Sequence, residues 1–264
     1  MTKALVVAGP RLDDDGVAAV RRFADQTNLG VLNTWGLKGL FPWDSPFHLG
    51  TAGLQERDFE LAGVLDADVV LGVGLDHDES PPALLGNLTE VEVADLDGWA
   101  ERLGRAPSGP ARPPLYTELA AALQPLYASD AVPLTPARAV ATIAAGRPDG
   151  AVVAADPGPA GFWVARTFTT TELRSVRVPA RRGARWFDVE GARIAVTVAP
   201  VDHEPVGDCV LVVWGVGDVA SVEEHGAQLA AALAAGGPQV VEVPVELSLT
   251  KVLVAVAGPI RAWT

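Results

Sequence analysis

The chain has 264 residues, 49% of them apolar, and a formal net charge of −13. The length favours roughly two domains, and the acidic balance argues against general nucleic-acid binding, which needs a basic face. No run of about 18 apolar residues occurs, so we predict no transmembrane helix. With one cysteine, Cys209, and no export signal, we expect a cytoplasmic protein without an internal disulfide.

The first part of the chain alternates strand-like and helix-like segments. Strands are predicted at 3–10, 29–34 and 68–76, and helices at 13–28 and 54–67, where apolar residues recur at helical spacing. A short strand and a helical turn follow within 89–104. This order is typical of an α/β unit with a parallel sheet.

A second α/β pattern follows a proline-rich linker at 106–114. A helix at 115–127 is expected to be interrupted before Pro125. Further helices are predicted at 135–150 and 221–237, and strands at 150–156, 192–200, 209–218 and 238–246. We therefore predict an α/β fold of two Rossmann-like lobes with mainly parallel sheets flanked by helices. The first lobe spans 1–105, a linker and crossing helix span 106–134, and the second lobe spans 135–264.

Candidate binding residues lie where strands end, because the carboxyl ends of parallel strands line the crevice of such sheets. By this rule Thr34, Trp35, Gly74 and Asp76 lie near one edge of the first sheet. The segment 33–54, rich in glycine and aromatic residues, leaves the same edge and has neither strand nor helix periodicity. The short sequences GVGLD and GVGD do not complete a dinucleotide-binding motif, and we interpret them as turns after strands.

Six arginines crowd into residues 166–185 with Glu172 as the only acid. They are Arg166, Arg174, Arg177, Arg181, Arg182 and Arg185. A solvated loop or hairpin is the first interpretation. A site for an anion such as a phosphate is the alternative.

The segment 34–76 resembles the central domain of thiamine-diphosphate-dependent enzymes of the acetolactate synthase and benzoylformate decarboxylase type. The residues at matching places are Trp35, Lys38, Gly39, Phe41, Pro42, Pro46, Gly50 and Gly53. The resemblance implies that the aromatic, glycine-rich segment packs over the sheet edge. A cofactor contact of Trp35 or Lys38 is the alternative.

The second lobe is also similar to this family, to the domain that binds the diphosphate. Asp156, Gly158 and Trp163 match the strand and turn that open that domain, and 219–246 matches its closing helix and strand. Together with the sheet-edge positions, this gives six candidate cofactor-binding residues: Trp35, Lys38, Gly74, Asp76, Asp156 and Gly158.

The departures from the family concern its metal site. The family holds Mg²⁺, and through it the diphosphate, with a Gly-Asp-Gly motif and a later asparagine. This chain has GDC at 207–209 and GVGD at 215–218, and its asparagines, Asn28, Asn33 and Asn87, all precede the second lobe. The resemblance thus implies thiamine diphosphate and Mg²⁺ while their motif is absent, so we predict no metal ligand and no catalytic residue. It also allows FAD or an adenine nucleotide in the first lobe.

Three hypotheses follow. The first is an acetolactate synthase-like family homologue without thiamine chemistry of its own, which binds a small ligand or docks onto a partner. The second is one subunit of a split thiamine-diphosphate-dependent 2-oxo-acid lyase or acetolactate synthase-type enzyme. Its partner would be a separate subunit carrying the family's pyrimidine-binding domain, which the chain is expected to lack. The third is a scaffold, because fold does not fix function. The resemblance implies a homo-oligomer, and we expect no nucleic-acid or membrane partner.

Overall fold

Both expected parallel sheets are present in the computed structural model, which describes residues 3–181, 183–201 and 203–263. The first sheet contains β1 (Ala4–Ala8), β2 (Val31–Thr34), β3 (His48–Ala52), β4 (Val69–Val73) and β5 (Leu88–Glu90). Its strand order is β3-β2-β1-β4-β5, and every ladder is parallel. Strands β1 and β4 are buried on both faces, which explains why their sequences are unbroken apolar runs.

Three helices accompany the first sheet: α1 (Asp14–Thr27), α2 (Asp58–Leu61) and α3 (Leu96–Leu103). Asp13 caps α1 by accepting a hydrogen bond from the backbone N–H of Gly16 at 2.8 Å. The helix expected over 54–67 is only one α-helical turn followed by a 3-10 turn at Val64–Asp66. Between them Gly63 takes a positive φ of 76°, which ends the helix.

The second lobe has its own five-stranded parallel sheet, in the order β10-β9-β8-β6-β7. Its strands are β6 (Val152–Ala155), β7 (Val176–Arg177), β8 (Ala192–Val198), β9 (Val210–Trp214) and β10 (Gln239–Val243). The helices of this half are α4 (Pro114–Tyr127), α5 (Pro136–Gly146), α6 (Pro159–Thr167), α7 (Val222–Ala235) and α8 (Thr250–Ala257). The predicted fold class is confirmed.

Two further local expectations are wrong. The segment 33–54 contains β3, whose pairing with β2 supplies the order that its sequence periodicity does not show. Helix α4 continues through Pro125 to Tyr127. Pro125 lies in the last turn of α4, where it removes one hydrogen bond to the preceding turn. The packing of α4 against α5 and α8 stabilises the continued helix.

The two lobes share one hydrophobic core. A single cluster of buried residues contains Leu32 and Phe59 of the first lobe and Phe162 and Trp214 of the second. Polar contacts add to this junction, because the Gln55 side chain donates to the carbonyls of Leu253 and Gly258 at 3.0 and 2.6 Å. In the described part of the chain no helix combines the length and apolar character needed to cross a bilayer.

Candidate functional site

A cleft opens at the carboxyl edge of the second sheet, between the ends of β6 and β8. These strands are neighbours, but the chain leaves β6 for β7 on one side and then returns to β8 on the other. Such a change of direction is where α/β sheets bind ligands. The cleft has a volume of about 410 Å³. Its lining includes Asp156 to Ala160, Gly183 to Arg185, Thr197, Val198 and Trp263; we call it the second-lobe cleft.

Asp156 is the carboxylate of this cleft, and protein groups occupy both of its oxygens. Oδ1 accepts from the backbone N–H of Trp186 at 2.8 Å and from Arg185 Nε at 3.1 Å. Oδ2 accepts from the Thr197 hydroxyl at 2.5 Å. The buried charge is therefore paired and hydrogen-bonded, as a stable buried carboxylate requires.

Gly158 lies beside Asp156 in the same cleft, at the start of α6. Its φ of 111° suits only glycine, and a Cβ there would meet no other atom within 4 Å. The structure thus brings together the two second-lobe residues named from the sequence. Arg185 and Thr197 complete the group. Arg185 was named from the sequence only as a member of the arginine-rich segment, with an anion site as the alternative interpretation, and Thr197 was not singled out.

The cleft residues do not fit a magnesium-bridged diphosphate. Mg²⁺ prefers an octahedron of oxygen ligands, yet Asp156 is the only carboxylate among the described lining residues and is already paired with a guanidinium. Within 3–181, 183–201 and 203–263, no three histidine, cysteine or acidic residues are grouped to hold a metal. Asp208 of the GDC sequence precedes β9, at the opposite edge of the sheet, where it accepts from the backbone N–H of Gly237.

The corresponding edge of the first sheet is closed by the chain itself. The backbone N–H of Arg11 donates to the Gly74 carbonyl at 2.9 Å, and a Cβ on Gly9 would lie 2.6 Å from that carbonyl oxygen. Asp76 lies 3.8 Å from the Arg11 guanidinium. Gly74 and Asp76 thus follow β4 at this edge, where the loop after β1 packs on Gly74. A contact with FAD or an adenine nucleotide at this edge stays a prediction.

Trp35 and Lys38 lie in different surroundings from Gly74 and Asp76. Trp35 is buried, and its ring packs against Trp263 with the centroids 5.4 Å apart. Lys38 is 5% exposed and faces the second lobe instead. Their role as cofactor contacts stays a prediction, while the packing role of Trp35 is visible in the structure.

Lys38 lines a pocket between the lobes, which we call the junction pocket. Its volume is about 150 Å³. Its polar side chains include Lys38, His48 and Arg166, and three leucines of α4 form an apolar wall: Leu115, Leu119 and Leu123. The pocket thus combines residues of β3, α4 and α6 with the segment that follows β2.

The nitrogen groups of this pocket are buried and incompletely paired. Arg166 donates to both carboxylate oxygens of Asp58 and to the Thr51 carbonyl, each at 2.8 Å, but its Nε has no partner. His48 Nδ1 also has none. Burial, and next the charge of Arg166, lower the pKa of Lys38 to about 7. Burial, with Lys38 and Arg112, lowers the pKa of His48 to about 3, so His48 is neutral at pH 7.

The arginine-rich segment 166–185 is not one solvated loop. Arg166 is buried in α6, Arg174 bonds Asp14 of the first lobe, and Arg185 contacts Asp156. Arg177, the last residue of β7, and Arg181 are exposed. Arg182 lies outside the described residues. The signal for Arg166 was its position within the apolar run PAGFWVARTF, which has no other charge.

Residues 2–123 match the family model of the thiamine pyrophosphate enzyme central domain. The match covers the first lobe and most of α4, and it includes the segment that carried the resemblance in the sequence. It does not extend into the second-lobe cleft. Among curated proteins, none matches the chain.

The fold of the whole chain has a counterpart among solved structures. An X-ray structure from Mycobacterium smegmatis, assigned provisionally to a thiamin diphosphate-dependent enzyme, superposes with a TM-score of 0.62 at 16% sequence identity. The similarity covers 92% of this chain and 62% of that one, so the chain spans about 62% of the length of this relative. At this identity the likeness concerns the fold.

Proposed function

We propose that this chain is an acetolactate synthase-like homologue of the thiamine-diphosphate-dependent enzymes that binds a small ligand without thiamine chemistry of its own. The match of residues 2–123 to the central domain supports the family. The observation that carries the loss of chemistry is the state of Asp156. It is the only carboxylate among the described cleft residues, and Arg185, Trp186 and Thr197 occupy both of its oxygens.

The Arg185 guanidinium already pairs with the charge of Asp156. A divalent cation in the second-lobe cleft would displace the Arg185 guanidinium from Asp156 and would then lie close to that positive charge. Like charges at short range in a partly buried site repel strongly, and no second carboxylate of the described lining compensates. The cleft therefore lacks the bridge that a buried diphosphate needs.

Calorimetric titration tests this proposal. Thiamine diphosphate is titrated into the chain in excess Mg²⁺ and again in EDTA, with Asp156→Asn as the variant that reports on the cleft. We expect no binding, or weak binding of equal strength in both buffers. A micromolar complex that EDTA abolishes and Asp156→Asn weakens would contradict the proposal.

A second candidate is one subunit of a split 2-oxo-acid lyase or acetolactate synthase-type enzyme. The open second-lobe cleft, which keeps Asp156 and Gly158 at the turn after β6, favours it. A separately expressed pyrimidine-binding domain should then form a complex with the chain, and thiamine-dependent turnover of a 2-oxo acid should appear only in the mixture. A homo-oligomer and a cytoplasmic location stay predictions.

A further inference from the structure

We propose that the junction pocket binds the carboxylate of a small monocarboxylic acid with an apolar body. The inference rests on the proposal that the chain is a small-ligand-binding protein, and it names the site and the class of ligand. It concerns a pocket distinct from the second-lobe cleft, since no lining residue is common to the two.

Lys38 is the first reason. Its side chain is 95% buried and lines the pocket. Among the described residues it has neither a hydrogen bond nor a carboxylate partner, and only burial and the repulsion of Arg166 act on it. A largely buried amine without a protein acceptor must take its acceptor from the pocket that it lines.

The other polar groups of the pocket add donors and no free acid. Arg166 Nε is a buried N–H without an acceptor, and its other nitrogens are held by Asp58 and Thr51. Asp58 is the acid that pairs with Arg166, and its carboxylate is used fully by Arg166 and by two backbone N–H groups. The group that complements the Lys38 amine, which lies near the Arg166 guanidinium, is an anionic acceptor, and a carboxylate is such a group.

The walls and the size of the pocket define the rest of the ligand. Leucines of α4 line the pocket together with the cations. Trp43, which is 44% exposed, lines both this pocket and a larger apolar groove. An apolar cavity of about 150 Å³ is large enough to hold benzene, and the junction pocket has about this volume. A short alkyl or aryl acid therefore fits, with its apolar body against α4.

Protonation favours the same ligand. Burial and Arg166 lower the pKa of Lys38 to about 7, so the amine can exchange between its charged and neutral forms near neutral pH. A bound carboxylate stabilises the ammonium form and raises this pKa again. The charged or titratable groups that act on Lys38 and His48 are Arg166 and Arg112, and Asp58 is paired with Arg166.

Calorimetry with hexanoate and hexan-1-ol tests the proposal, because the two probes share an apolar body and differ in charge. We expect hexanoate to bind the wild type at least tenfold more tightly than the alcohol. Lys38→Met keeps an unbranched side chain that is only one atom shorter, and it should remove this preference. Lys251→Met, which changes an exposed lysine of α8, should keep it. Equal affinity of the two probes for the wild type, or an unchanged preference in Lys38→Met, would overturn the inference.

A second measurement locates the ligand independently of any variant. The chain has three lysines, Lys3, Lys38 and Lys251, so the Cε signals of ¹³C-lysine protein can be followed one by one through a pH titration. Saturating hexanoate should raise the pKa of Lys38 alone, by one unit or more. An unshifted Lys38 at saturation would refute the site. Calorimetric binding of thiamine diphosphate with Mg²⁺ would instead contradict the proposed function. That result concerns the second-lobe cleft, on which hexanoate, hexan-1-ol and the lysine signals do not report.

Discussion

Lys38 and Arg166 are two nearly inaccessible cations, and only one of them has a counter-ion. Arg166 is neutralised by Asp58 across the lobe junction. Lys38 has no such counter-ion, and its amine instead becomes neutral by losing a proton as the pH rises above about 7. A buried lysine without a counter-ion reduces the stability of the folded protein. Packing alone therefore does not explain a lysine at this position, whereas ligand binding does.

The pH dependence of stability tests this state of Lys38. Its pKa is about 10.5 unfolded and about 7 folded, so between these values the unfolded chain binds more protons and stability rises with pH. At pH 7 and below, the buried charge costs up to about 5 kcal/mol. Lys38→Met should therefore be stabilising at pH 7, and its advantage over the wild type should fall by about 1.4 kcal/mol per pH unit between roughly pH 7.5 and 9.5.

Urea unfolding of both proteins across this pH range measures the effect. Groups that titrate in both proteins contribute equally to the two free energies of unfolding, so their contributions cancel in the difference. Lys251→Met is the matched control, and its stability should run parallel to that of the wild type. If the stability of Lys38→Met also ran parallel to that of the wild type, the buried amine would not titrate in this pH range.

At the scale of elements, the glycines of the segment 33–54 permit close contact between the lobes. Gly39 has a φ of 88°, and a Cβ there would lie 2.2 Å from the backbone oxygen of Glu172 in the second lobe. Next to it, the Lys38 carbonyl accepts from the backbone N–H of Arg174. The segment between β2 and β3 is thus part of the lobe junction, beyond covering the edge of its own sheet.

Gly39→Ala should separate these two backbones. The positive φ costs an alanine about 1–2 kcal/mol, and the clash with a backbone atom adds about 1–3 kcal/mol. Gly63→Ala is the control, because Gly63 has a similar φ of 76° but no atom within 4 Å of its Cβ. Chemical denaturation should show a larger loss in the free energy of unfolding for Gly39→Ala than for Gly63→Ala. Equal losses would show that the close contact with Glu172 does not contribute to the cost of the substitution.

The elements that sequence periodicity predicted are those with strong local signals. The strands β1, β4 and β9 are continuous apolar runs, and α5 begins with Thr135, whose hydroxyl accepts from the backbone N–H of Arg138. By contrast, β3 is glycine-containing and α8 is rich in valine, so pairing and packing decide their form. The junction pocket could not be predicted, because Lys38 and Arg166 lie far apart in sequence and only the docking of the lobes joins them.

For the whole molecule, the shared core and the buried Asp58–Arg166 pair make the two lobes interdependent. Asp58 is completely buried in α2 of the first lobe, and Arg166 belongs to α6 of the second. Burial raises the pKa of Asp58, while the guanidinium and the N–H groups of Gln55 and Leu54 oppose that rise. Removing one partner of such a pair leaves an uncompensated buried charge, which costs about 3–5 kcal/mol.

Asp58→Ala should therefore destabilise both lobes equally. Native-state hydrogen exchange measures the stability of the two lobes separately, through the amides of β1 in the first sheet and of β8 in the second. We expect the free energy of opening to fall by the same amount, about 3–5 kcal/mol, in both strands. Glu60→Ala in the same helix is the control, since the pair that Glu60 forms with Arg57 is exposed to solvent and its removal should leave both strands protected. Loss of protection in β1 alone would show that the lobes fold as separate units, because then the core they share would not couple them.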